Sequence, residues 1–304
     1  MPTASSQTDP FRAAYSIPVA GGPMYVARAG PPPSEASHVV VALHGITASH
    51  VTWRAVAREL VARTDMCLLA PDLRGRGRSA DLPAPPRFAD HGADVIAALE
   101  RLGVPRALLI GHSMGAYIAA GMAADHPGRV SGLVLVDAGL PVPLQEGTDP
   151  DELLEAILGP ALARLRMTFA SVEDYVAFWH AHPAFANGWN DDTEAYVRAD
   201  LGGEPGALHS VTSEAAVRLD SSSLLLDDQA RTALERVHAP VTLLRAQRGL
   251  MNDDRVMIPD DLLAPLLADR GDIGAELVED TNHYTIVMGS GAPRVVDAIL
   301  QMLN

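Results

Sequence analysis

Four short runs, at residues 39–43, 66–70, 107–110 and 132–136, are apolar at nearly every position, and helix-length segments around 53–63, 88–102 and 114–125 separate them. A strand with one face in water alternates apolar and polar side chains. One that is apolar throughout has to be covered on both faces, and a largely parallel sheet with helices packed above and below it does that. The chain is therefore expected to form an α/β fold, with right-handed crossover helices between parallel strands. Residues 16–19 and 24–27, joined by Ala20-Gly21-Gly22-Pro23, read as a hairpin ahead of the first run.

The rhythm breaks after Asp137. No buried strand is legible from about 140 to 235, where helical patterns run instead over 150–169, 172–182, 191–201 and 212–219. The parallel pattern resumes with Val241-Thr242-Leu243-Leu244-Arg245 and Ala275-Glu276-Leu277-Val278, and a helix over 291–303 closes the chain. Residues 1–139 and 236–304 are thus expected to build one continuous sheet, with 140–235 inserted as a helical lid. Half of the 14 aromatic residues fall in that insertion, among them Tyr175, Phe178, Trp179 and Trp189. Two uses are open to them: lining an apolar pocket, or filling the insertion's own core.

Composition narrows the function classes. At 304 residues and 48% hydrophobic content the chain can bury one large core plus a smaller appended unit. Its formal net charge of -15, from 38 acidic against 23 basic residues, opposes binding to nucleic acid or to an anionic membrane surface. All the basic residues are arginine, so Schiff-base and phosphate-loop lysines are excluded, and with them pyridoxal enzymes and P-loop NTPases. The polar, small-residue start and the lack of a membrane-length apolar run make a soluble, cytoplasmic protein the expectation. Cys67, the single cysteine, sits in an apolar run and reads as a core thiol.

The pentapeptide Gly111-His112-Ser113-Met114-Gly115 lies between the run at 107–110 and the helical segment from 114. A serine hydroxyl becomes a useful nucleophile when a sharp strand-to-helix turn pushes it clear of the backbone, and close glycines make such a turn sterically possible. Ser113 is the candidate nucleophile. Around it the chain resembles the α/β-hydrolase fold family, in its serine hydrolase branch with a helical cap. The resemblance rests on His44-Gly45-Ile46-Thr47 after the strand at 39–43, Asp72-Leu73-Arg74-Gly75-Arg76-Gly77-Arg78-Ser79 after the next, then the Ser113 turn, Asp137, the insertion and Asn282-His283-Tyr284, in the order that family uses.

The resemblance implies a mostly parallel sheet flanked by helices, His283 as the base and an oxyanion hole from the N–H groups of Ile46 and Met114. It also implies that the Asp72–Ser79 stretch is a scaffold loop, not a phosphate cradle. The acid is ambiguous. Most relatives carry it just beyond the penultimate strand, but here that segment reads Ala246-Gln247-Arg248-Gly249-Leu250; Asp253 and Asp254 come late, and Asp137 occupies an alternative position used by some relatives. The side chain of His112 is expected to leave the turn away from Ser113, and His180 and His182 lack companion ligands, so no metal or cofactor is expected.

The expected activity is cleavage of a small, apolar carboxylic ester or lactone through an acyl-enzyme. Carbon–carbon bond hydrolysis, perhydrolysis and acyl transfer share the same triad and stay open, as does a small-molecule receptor with little turnover. Oligomeric state is out of reach of the sequence.

Overall fold

The computed structural model describes residues 9–85, 87–141, 153, 159 and 161–303. Strands β1 (Ala13–Val19) and β2 (Gly22–Ala29) form the hairpin, and β3 (Val39–Leu43), β4 (Cys67–Pro71), β5 (Ala107–His112) and β6 (Val130–Val136) follow. After a two-residue pair, β7 (Leu201–Gly202) with β8 (His209–Ser210), the main sheet is completed by β9 (Val241–Arg248) and β10 (Ile273–Asn282). The order across the eight-stranded sheet is β1-β2-β4-β3-β5-β6-β9-β10. The β1/β2 and β2/β4 pairs are antiparallel, and every pair from β4 to β10 is parallel.

The apolar runs are covered on both faces, as their composition requires. Val41, Leu43, Leu69, Leu109 and Leu135 pack with residues of the helices Ala89–Arg101 and Met114–Asp125. Their chain neighbours Val40, Ala42, Leu68, Leu108 and Val136 pack on the other face, with the helices Arg54–Arg63 and Ala292–Leu303. Full burial of a side chain of this size contributes about 1.5–3 kcal/mol. Cys67 is fully buried, and burial pushes its thiol pKa up to about 12.

The strands run further than the apolar runs alone indicate. β10 continues past Val278 across a register shift to Asn282, with Asp280 at φ 56°, and this irregular end carries the chain to His283. Between β9 and β10 lies a helix the sequence pattern did not mark, Asp260–Asp269, with Pro265 inside it.

Between β6 and β9 no strand among the described residues joins the main sheet. Residues 161–165 are helical, and the helix expected to run to 169 stops there, since 166–168 are not helical and Phe169 makes an isolated β-bridge with Leu208; of the expected 150–160, only positions 153 and 159 are among the described residues. The helices Val172–His180 and Asp191–Ala199 are capped by Ser171 and Asn190, whose side chains accept from Asp174 N–H and from Asp192 and Thr193 N–H. Glu214–Leu226 is longer than the expected 212–219. Its serines do not break it, because Ser221 and Ser223 donate back to the carbonyls of Val217 and Leu219 at 2.6 and 3.0 Å. No helix among the described residues is long and apolar enough to cross a membrane.

Candidate active site

Ser113 stands between β5 and the helix Met114–Asp125 with φ 55° and ψ -125°, a conformation that L residues rarely adopt. The strain is held by backbone packed against backbone. A Cβ on Gly111 would lie 2.3 Å from the Gly115 carbonyl oxygen, and one on Gly115 would lie 2.0 Å from that of Leu43, so neither position admits a side chain. The turn is anchored by Ser113 N–H donating to the Val136 carbonyl at 3.2 Å.

Asp137 directly follows β6 and His283 directly follows β10, so both stand beyond the carboxyl ends of strands in the half of the sheet that begins at β5. His283 Nδ1 lies 2.8 Å from Asp137 Oδ2, with both side chains buried. A carboxylate can only accept, so the shared proton sits on Nδ1 and Nε2 is left as the acceptor. Asp137 is itself fixed: its backbone is at φ 54°, its N–H donates to the Leu244 carbonyl at 2.7 Å, and its Oδ1 accepts from Ala246 N–H at 2.9 Å. Asp253 and Asp254 do not reach His283. They pair with Arg255 at 2.7 Å and Arg248 at 3.4 Å on the loop after β9. No hydrogen bond joins Ser113 Oγ to His283 among the described residues.

His44, Gly45 and Ile46 follow β3 beside this turn. A Cβ on Gly45 would lie 3.2 Å from Ser113 Cβ, which measures how closely the two loops approach. His44 locks its own loop: Nε2 accepts from Leu73 N–H at 3.0 Å and Nδ1 donates to the Gly45 carbonyl at 2.8 Å. Burial pushes its pKa down to about 4, so the ring stays neutral. Ile46 and Met114 border the same cavity as Ser113. Met114 is the first residue of its helix, so its N–H has no acceptor within that helix.

The arginines after β4 serve the scaffold. Arg74 makes a buried two-point pair with Asp94 at 2.6 and 2.9 Å. Arg76, fully buried, donates through Nε to the Ile46 carbonyl at 2.9 Å, and its Nη1 stands 2.6 Å from Asp220 Oδ2, without hydrogen-bond alignment, on the helix Glu214–Leu226. His112 turns away from the cavity, and its Nε2 lies 2.8 Å from the His283 carbonyl oxygen while the two rings lie 4.5 Å apart. Sequence reasoning gave it no role; its contact with the main chain of His283 makes it a support for that loop.

Ser113 and Asp137 open into a cavity of about 490 Å³. Leu224 and Leu225 of the helix Glu214–Leu226 form one wall, and Val256, Met257, Ile258 and Leu262 after β9 form another. The aromatic residues of the insertion are not among the lining residues. Tyr175, Trp179 and Phe185 are buried against one another and Tyr284, and they join the core on the sheet face covered by the helices Arg54–Arg63 and Ala292–Leu303, so they fill a core shared with the sheet and do not line this cavity. The wall at 256–262 was missed in the sequence because its apolar residues carry no helix or strand period. His180 is exposed and stacks on Trp189, and His182 Nδ1 accepts from Ala184 N–H.

Known proteins agree with this architecture. The sequence model of the alpha/beta hydrolase fold matches residues 38–232. A lipase, LipV, from Mycobacterium tuberculosis is 29% identical over 230 residues, covering 75% of this chain and 79% of its own. A 2-hydroxymuconate semialdehyde hydrolase from a Pseudomonas species is 37% identical over 130 residues, 40% of this chain and 41% of that protein. The crystal structure of E-2-(acetamidomethylene)succinate hydrolase superposes with a TM-score of 0.77 at 21% identity, covering 96% of this chain and 98% of the other.

Proposed function

The chain belongs to the α/β-hydrolase fold family, and on that premise we propose that it is a serine hydrolase that cleaves a carboxylic ester or lactone through an acyl-enzyme. The bond of 2.8 Å between His283 and Asp137, beside a cavity that Ser113 also enters, is the observation that carries this reading. Residues 140–235 act as the lid over that cavity. LipV, a lipase by name, supports ester chemistry.

In the proposed reaction Ser113 Oγ attacks the acyl carbonyl and its proton passes to His283 Nε2. Asp137 keeps the other proton on Nδ1 and stabilises the imidazolium. The carbonyl oxygen, now negative, accepts from the Ile46 and Met114 N–H groups, each donor contributing about 3–4 kcal/mol to the transition state. Collapse breaks the bond to the alcohol, which leaves with the proton from His283. Water then repeats the sequence on the acyl-enzyme and restores Ser113.

The lack of a hydrogen bond between Ser113 Oγ and His283 among the described residues is the observation that favours the second reading, a receptor on the same fold. Catalytic hydrogen bonds commonly close only in the Michaelis complex, and closing this one takes a side-chain movement of Ser113 or His283. A panel of p-nitrophenyl esters and lactones, run beside fluorophosphonate labelling, separates the two. A hydrolase turns over members of the panel and is labelled at Ser113; a receptor is stabilised by ligand without turnover.

A further inference from the structure

The cavity bordered by Ser113 has apolar walls and no cation. Leu224 and Leu225 face it from the insertion, and Met257, Ile258 and Leu262 from the loop after β9. Its neutral polar groups beyond Ser113 are spoken for: Tyr117 Oη donates to the Leu140 carbonyl at 2.5 Å, and Ser221 Oγ to the Val217 carbonyl at 2.6 Å. The charged residues on its border are Asp137 and Asp261, both acidic. All 23 arginines and 11 histidines of the chain are among the described residues, and none of them lines the cavity. Arg76, which touches the Ile46 carbonyl, is sealed from it at 0% exposure and faces Asp220. Residues 142–152, 154–158 and 160, outside the described set, bring five acids and no base to the sequence.

From this we propose that the site takes a neutral, aliphatic acyl group and rejects acyl groups that carry a second, anionic carboxylate. The inference rests on the serine hydrolase reading and deepens it. A carboxylate drawn into this cavity loses its hydration, finds no cation, and meets the fields of Asp137 and Asp261. A methylene chain meets only surfaces like itself, and each buried CH2 raises binding about fourfold.

The test compares p-nitrophenyl hexanoate with mono-p-nitrophenyl adipate, acyl groups of equal length that differ in a terminal carboxylate, at about pH 8, where that carboxylate is ionised. Spontaneous hydrolysis is subtracted with Ser113→Ala protein. The expected kcat/KM ratio is at least about 100-fold in favour of hexanoate. Met257→Arg places a guanidinium on the cavity border at a residue 37% exposed, where folding tolerates it, and should narrow the ratio about fivefold, the scale of a half-exposed ion pair. Equal turnover of the two esters by the wild type, or a ratio that Met257→Arg leaves unmoved, overturns the proposal. If neither ester is turned over and fluorophosphonate leaves Ser113 unlabelled, the hydrolase reading is what fails. The pocket is then decided by melting Ser113→Ala protein with octanamide or suberic acid monoamide: stabilisation by the amide alone upholds the inference, and equal stabilisation by both ends it.

Discussion

At Asp137 one carboxylate meets two demands, because Oδ1 holds the Ala246 N–H while Oδ2 holds His283. Asparagine tolerates the positive φ and keeps an oxygen for Ala246, but its amide nitrogen then faces His283 Nδ1 and drives the imidazole to the other tautomer. Asp137→Asn is expected to stay folded, by its melting temperature, and to lose on the order of 10⁴ in kcat. Asp253→Asn and Asp254→Asn, whose partners are Arg255 and Arg248, should each lose less than about tenfold in the same assay. A dead Asp253→Asn beside an active Asp137→Asn would move the acid to the later loop. Ser113→Ala should lose about 10⁴ to 10⁶ in kcat and all fluorophosphonate labelling; equal labelling of wild type and variant would remove Ser113 from the mechanism. The positions of Ser113 and Asp137 were legible in the sequence because each stands at the end of an apolar run whose strand fixes it, and that of His283 because it lies just past the last predicted strand. Which acid pairs with His283 was not legible, because that depends on how the β9 and β10 ends fold around Asp137, and no periodicity encodes it.

At the scale of elements, the sheet was readable because strands buried on both faces carry few polar residues, and the insertion was less so. The Ser221-Ser222-Ser223 stretch looks like a helix end in sequence, yet two of these serines satisfy themselves on carbonyls four residues back and the helix continues to the leucines that wall the cavity. That helix is also tied to the loop that carries Ile46. Arg76 holds the Ile46 carbonyl and faces Asp220, and Asp220 Oδ1 lies 3.0 Å from His91 Nε2, all in the interior. Asp220→Asn leaves the Arg76 guanidinium buried without a counter-charge, which should cost about 3–5 kcal/mol of stability in urea unfolding. KM should rise at temperatures where the variant is folded, since Leu224 and Leu225 lose their tether. A variant as stable as the wild type, with its KM unchanged, would show that the pair neither holds the helix nor shapes the cavity.

For the whole molecule the decisive groups in acid are two histidines that fold without a proton. Burial is the largest cause in both: it lowers His44 from 6.5 to about 4 and takes His112 well below its ordinary value, with the neighbouring His283 adding to the shift of His112. The unfolded chain binds protons at both as the pH falls through 6.5 and the native chain does not, so the stability they contribute is complete above 6.5 and is lost as the pH falls toward 4. Each contributes a slope of about 1.4 kcal/mol per pH unit, so His44 alone removes roughly 3 kcal/mol across that window. Net charge acts the other way, since the chain relaxes from -15 toward its isoelectric point of about 5.0 and self-repulsion eases. The histidines should dominate, because they are desolvated whereas most of the acidic excess lies in water. The carboxylate of Asp72, which burial would raise but the hydrogen bonds of His50 hold below its ordinary value, titrates only after this loss is under way. Urea unfolding at a series of pH values should therefore show stability falling from near 6.5 downward, and His44→Asn, which keeps a neutral polar side chain at the β3 exit, should flatten that fall by about one proton. A stability curve level from pH 7 to pH 5 in the wild type would mean that His44 and His112 accept protons in the folded chain, and that the hydrogen bond from Leu73 N–H to His44 Nε2 breaks to allow it.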